Sequence, residues 1–148
     1  MIAGLSEREA EAAEVLGRYT TALDTKDWEL LVECFTPECA FTASEMVLDG
    51  RDAIVEFMRP AHQHLDGSLH RLTNIRVQMG DDEMTATTAS YLDAFIVHRA
   101  HRDGPTCQVI GVYHDRLSRH DGTWRIADRR FELLWRDGNP TILGPTVA

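Results

Sequence analysis

No stretch of this sequence holds the roughly 18 consecutive apolar residues that a bilayer-spanning helix requires. The beginning does not combine a basic segment with an apolar run of about 7–15 residues, so no secretory signal is read and a cytoplasmic location is expected. Cysteine is scarce. Cys34, Cys39 and Cys107 are an odd number without CxxC spacing, which argues against a disulfide framework or a zinc knuckle and leaves buried reduced thiols as the expectation. Basic residues are outnumbered, 15 Lys and Arg against 24 Asp and Glu, and the net charge of −9 works against a nucleic-acid partner, whose binding needs a basic footprint. No Gly-rich phosphate loop, internal repeat or low-complexity tract is present, and without a G-x-S-x-G elbow a serine-nucleophile hydrolase is not indicated.

What remains is an ordinary globular composition. At 148 residues, 43% hydrophobic and 26% charged, the chain has the size and apolar content for one core, and a single domain over 1–148 is expected. "SEREAEAAEVLGRYTTALD" opens with Ser6 and Glu9 in capping-box spacing, then repeats Ala12, Leu16, Tyr19 and Leu23 at helical intervals. Tyr19 therefore faces inward. Asp24 lies about 500° further around an ideal helix, roughly 140° from Tyr19, so the two cannot share one face of a straight helix. A change of direction at "DTKDW", with Asp27 as N-cap of a second helix, would place Asp24 at a corner. "ECAFTAS" reads as a short strand after Pro37, and "DGRDAIVEFMRPAH" as a turn into a third helix weakened by Pro60. Four segments rich in Val, Ile, Thr and aromatics follow, separated by "GDD", "RDGP" and "HDG". Helices first and a strand meander afterwards predict an α+β fold, with helices on one face of a curved antiparallel sheet. The tail "RDGNPTILGPTVA" is read as a cover for a pocket or a reach toward a neighbouring subunit.

Several polar residues sit awkwardly in this scheme. His70 heads a strand. Alternation groups Asp93 with Tyr91, Phe95 and Val97, groups Tyr113 with Val109, Gly111, Asp115 and Leu117, and puts Arg130 with Trp124, Ile126 and Asp128. It does not say which faces are concave. Taken singly, Tyr19 can be a core tyrosine, Asp24 a helix-terminal acid and His70 a hydrogen-bonded strand residue. Asp93 is harder to place, because a buried acid must be paired or protonated. Together they form a chemical set: an aspartate beside one ring nitrogen orients a histidine and supports its protonated form, and a buried phenol can donate to a growing enolate oxygen. His62 and His64 make a His-x-His pair, but one placed in a loop after Pro60, without carboxylate or thiolate spacing to complete a metal shell. No metal and no cofactor are expected.

With these residues in view, the chain resembles the SnoaL-like branch of the nuclear transport factor 2-like superfamily, over nearly its full length. The resemblance is carried by "RYTTALDTKDWELLVECFTPECAF", "LDGRDAIVEFMR", "HRLTN" and "GVYHDRLSRHDGTWRIADRRFELLW". It implies a cystatin-like cone, a curved sheet wrapped by N-terminal helices around a pocket, and a homodimer or homotrimer. The functional pattern it is most similar to is that of bile-acid 7α-dehydratase and, more loosely, scytalone dehydratase. By that resemblance Tyr19, Asp24 and His70 match the pocket Tyr, Asp and His, Asp93 a further pocket acid, and Arg130 a late arginine chosen over the adjacent Arg129. Tyr113, Phe95 and Arg130 are the expected substrate-binding residues. The implied activity is a cofactor-independent lyase that dehydrates a hydroxylated, largely apolar carbonyl compound, steroid-like, polycyclic or polyketide-derived. A polyketide cyclase or double-bond isomerase using the same pocket, and a noncatalytic small-molecule-binding or assembly module, are the alternatives.

Overall fold

Helix formation begins where the capping chemistry requires it. In the computed structural model, which describes residues 4–144, the Ser6 hydroxyl accepts from the Glu9 N–H while the Glu9 carboxylate accepts from the Ser6 N–H, and α1 runs Glu7–Thr25. One face, including Ala12, Leu16, Tyr19 and Leu23, is fully buried. Lys26 in the left-handed region ends the helix, and the Asp27 side chain accepts from Leu30 N–H to start α2, Trp28–Glu33. The direction changes where expected, but Asp24 is still inside α1, one residue before its end.

β1 (Phe35–Ala43) extends the expected short strand toward the N-terminus and makes a hairpin with β2 (Met46–Asp49), an element the sequence did not announce. Pro37 is tolerated within β1 because pairing with the last strand is interrupted between Phe35 and Ala40, so no ladder donor is required there. α3 spans Arg51–Gln63. Its Pro60 does not stop it: the proline sits in the final turn on the exposed side, and the helix carries His62 past it into the interior. The expected loop at His62 is thus the end of a helix.

The meander follows as β3 (Gly67–Met79), β4 (Thr85–Val97), β5 (Thr106–His120) and β6 (Thr123–Gly138). β5 and β6 are joined by Asp121 and Gly122, both at positive φ as a tight hairpin turn demands. The sheet order is β2-β1-β6-β5-β4-β3. All pairs are antiparallel except β1 with β6, because the meander ends beside β1 running in its direction. α1 packs against β3 and β6, α3 against β1, and the core lies between helices and sheet. This is the expected α+β architecture with a curved sheet. Register shifts in β3 after Thr73, and in β6 beside Ile126 and Leu133, bend the strands.

All three cysteines are free and buried. Among the described residues no helix is long and apolar enough to cross a membrane, and no three or more His, Cys, Asp or Glu gather as a metal-holding group. Of the tail, Ile142 is buried and Leu143 lines the interior cavity, so its first part does cover a pocket. Residues 145–148 lie outside the described residues.

Candidate active site

Between the helices and the inner sheet face lies a cavity of about 530 Å³, walled by Leu23, Phe41, Phe57, Met58, Leu92, Ala94, Ile96, Val109 and Phe131. Its polar lining includes Tyr19 from α1, His62 from α3, His70 from β3 and Tyr113 from β5, together with Ser44, Glu45 and Arg136.

His70 is held from behind by Asp24. Its Nδ1 lies 2.6 Å from Asp24 Oδ1, its backbone N–H donates to Asp24 Oδ2 at 3.0 Å, and the Ser68 hydroxyl donates to Oδ1 at 3.0 Å. Burial by itself would raise the Asp24 carboxyl. The His70 ring and backbone, with Ser68, outweigh it and hold the group below the usual carboxylate range. A carboxylate only accepts, so the proton of neutral His70 sits on Nδ1, and Nε2 keeps its lone pair for the cavity. The β3 strand supplies both His70 and Ser68, two residues apart on one face, which is why one carboxylate at the end of α1 can grip both.

Tyr19 and Tyr113 meet edge to face at 6.2 Å, and the Arg129 guanidinium lies beneath them, 4.4 Å from the Tyr19 ring centre and 3.7 Å from that of Tyr113. Arg129 is wholly buried and paired with the equally buried Asp115 through two bonds, Nε to Oδ1 at 2.7 Å and Nη2 to Oδ2 at 2.9 Å. Burial works against the arginine charge, but Asp115 overcomes it and keeps the group protonated above its ordinary pKa. For Tyr19, burial pushes the phenol well up and Tyr113 adds to this while Arg129 opposes it; the Tyr113 phenol is also raised by burial. Both are neutral O–H donors near neutral pH.

The sequence also nominated residues that the fold places elsewhere. Asp93 is on the opposite sheet face from Leu92 and Ala94, bonded to Arg71 at 3.2 Å and Gln108 at 2.9 Å, so it is not a pocket acid. Phe95 is on that same outer face and is 38% exposed, so it cannot contact a ligand inside. Arg130 is exposed and borders an open outer groove. The cause is a bulge: Leu117 pairs with Ile126 but Arg116 with Asp128, leaving Ala127 as an extra residue. Strict alternation assigned Arg130 to the Trp124 and Ile126 face, whereas the inserted residue sends Arg129 inward instead.

The SnoaL-like domain profile matches residues 5–130, most of the chain. The chain belongs to the SnoaL-like domain family. Among solved structures, this SnoaL-like domain is similar to a protein of Novosphingobium aromaticivorans provisionally named scytalone dehydratase, with 22% identity, a TM-score of 0.80, and coverage of 88% of this chain and 86% of that one. It is similar to a Mycobacterium tuberculosis protein of unknown function, at 27% identity, TM-score 0.73, over 84% of this chain and 70% of that one. A hexachlorocyclohexane dehydrochlorinase of Novosphingobium barchaimii matches at 12% identity, TM-score 0.72, over 88% of each chain. The fold of the SnoaL-like domain is thus the nuclear transport factor 2-like, cystatin-like scaffold. A search among curated proteins finds no match.

Three members of the site were missed in the sequence of this SnoaL-like domain. Asp115 was visible as a charge sharing a strand face with Val109, Tyr113 and Leu117, and Arg129 only as one of several charges on its strand, so pairing them needed the bulge. His62 was visible only as half of a His-x-His pair. Its partner His64 turns away, with its ring nitrogens 3.1 and 3.0 Å from the carbonyls of Pro60 and Ile142.

Proposed function

We propose that this domain eliminates water from a hydroxylated, largely apolar carbonyl compound, steroid-like, polycyclic or polyketide-derived, by side-chain acid–base chemistry. The observation that carries the reading is the 2.6 Å Asp24–His70 dyad, whose free Nε2 faces an apolar cavity also lined by two buried phenols. His70 Nε2 takes the proton next to the carbonyl, and the C–H electron pair moves into the enolate. Tyr19, with Tyr113 beside it, donates to the enolate oxygen, where a fixed donor is worth ~3 kcal/mol. The electrons then return to form the carbon–carbon double bond, the C–O bond breaks, and imidazolium His70 hands its proton to the departing hydroxyl, which leaves as water. Asp24 holds the ring in register and gives the transient positive charge a partner. The relatives named for loss of water and of hydrogen chloride are in keeping with elimination on this scaffold.

The test is turnover of a panel of mono- to tricyclic β-hydroxy ketones, followed by product mass. Elimination gives a product lighter by one water, whereas ring closure without loss of water, or a double-bond shift, leaves the mass unchanged. His70→Ala is expected to lower turnover by at least ~10² with an unchanged far-ultraviolet spectrum. Full activity in that variant removes His70 from the chemistry, and binding of the panel without any conversion favours a noncatalytic carrier.

A further inference from the structure

His62 shares the cavity with His70, their ring centres 5.7 Å apart and tilted by 41°. The two imidazoles are anchored differently. Nδ1 of His62 lies 2.8 Å from the Met58 carbonyl oxygen, one helical turn back. That oxygen can only accept, so Nδ1 carries the proton and Nε2 holds a lone pair. Nε2 has no hydrogen-bond partner among the described residues, although the residue is 3% exposed and lines the cavity. No carboxylate is hydrogen-bonded to this ring, and Asp24, bonded instead to His70, offsets a positive charge there only in part. Burial, with the nearby His70 adding to it, pushes the His62 imidazole down to about 4, in keeping with a ring that is neutral near neutral pH. His62 is therefore a fixed hydrogen-bond acceptor beside the proton-transfer residue.

We propose that His62 is the hydroxyl-recognising residue of the cavity: its Nε2 accepts the hydrogen of the substrate's hydroxyl group, so that the site selects free alcohols over ethers and halides of the same shape. The geometry fits one oxygen shared between two rings. The hydroxyl donates its own hydrogen to His62 while an oxygen lone pair receives the proton from His70, and the first bond makes that oxygen more basic for the second. This use of the hydroxyl as leaving group rests on the elimination reading above; the recognition itself does not. A buried acceptor also discriminates by refusal, because a methyl ether in that place leaves Nε2 desolvated and unpaired.

Binding of 2-naphthol and 2-methoxynaphthalene, neither of which can eliminate water, tests recognition apart from catalysis. Titration calorimetry of the full chain is expected to give at least about tenfold tighter binding of the naphthol, the worth of roughly one hydrogen bond. His62→Phe, which keeps a ring but no acceptor, should erase that ratio while still binding the ether. His62→Gln, whose amide oxygen can accept, should restore part of it, and His70→Ala should leave a preference in place even if catalysis is lost. In nitrogen-15 spectra the wild-type His62 should be the Nδ1–H tautomer, with Nε2 shifting on addition of naphthol and not of ether. The proposal is overturned by an equal affinity for the two probes, by failure of both to bind, by a ratio that survives His62→Phe, by an Nε2–H tautomer, or by loss of ether binding in both His62 variants, which would assign the residue to packing.

Discussion

His62 links folding to protonation in a direction that can be measured. Its folded-state pKa of about 4 is below the ~6.5 of an unfolded histidine, through burial first and then His70, with Asp24 pulling the other way and His64 adding to the fall. Between those values the unfolded chain binds the proton and the folded chain does not, so stability falls as pH drops from about 6.5 to about 4, by on the order of 3 kcal/mol. Asp24 acts in a lower window: its depressed carboxyl contributes stability above about 3.9 that is lost as pH falls through the folded value. Thermal melts of wild type and His62→Phe at several pH values from 4 to 7 should show a flatter slope in the variant. Equal slopes would mean that the ring is charged or solvated. Arg129 gives a second expectation. Removing its charge leaves Asp115 ionised at a fully buried position, so Arg129→Met should lower stability by about 3–5 kcal/mol in urea unfolding, and adding Asp115→Leu should recover most of it. Tyr19 was legible as inward-facing from the helical count, whereas Asp24 at the helix corner and His70 at the head of a strand became candidates through the motifs that carry the family resemblance. Arg129 was not legible, since one extra backbone residue reverses the count and has no signature in side-chain type.

The elements divide along a similar line. The starts of α1 and α2 could be read to within a residue because their caps are written in side-chain chemistry, Ser6 with Glu9 and Asp27 with Leu30 N–H. The β2 strand and the bulges depend on backbone pairing with distant strands, which local sequence does not encode. Gly111 shows how far that dependence reaches. It lies across from β6 where Leu134 is extra, and a Cβ there would sit 2.3 Å from the Glu132 carbonyl oxygen and 2.5 Å from the Phe131 ring. The missing side chain lets Phe131 approach β5 closely beside Tyr113, ring centres 5.1 Å apart and tilted by 52°, and so form one wall of the cavity. Gly111→Ala should cost about 1–3 kcal/mol by overpacking and push Phe131 toward the interior. The checks are a lowered Tm and weaker binding of both naphthalene probes. A variant as stable as wild type with unchanged binding would show that β6 absorbs the methyl by sliding.

At the scale of the whole molecule, the residues that failed as pocket candidates point to the other side of the sheet. Phe95 is exposed on the outer face opposite Leu69 of β3, and Tyr91 is exposed four residues earlier on the same strand. Trp135, 63% exposed, pairs with Ile110 of β5, which in turn pairs with Asp93 of β4. These side chains run across four neighbouring strands as one apolar band, crossed by the Arg71–Asp93 ion pair. A band of that kind on a single chain marks an association surface more often than free surface. We propose this outer face as the association surface of the homodimer or homotrimer that the family resemblance implies, an arrangement that would leave the cavity on the inner face untouched. The chain is expected to run as a defined oligomer in light scattering coupled to gel filtration, and Tyr91→Glu with Trp135→Glu should shift it to monomer by burying like charges against each other. Because neither residue lines the cavity, the monomeric variant should still prefer naphthol to its ether. A wild-type chain that is monomeric at the highest concentration tested, or an oligomer indifferent to both substitutions, would take the outer face out of the assembly.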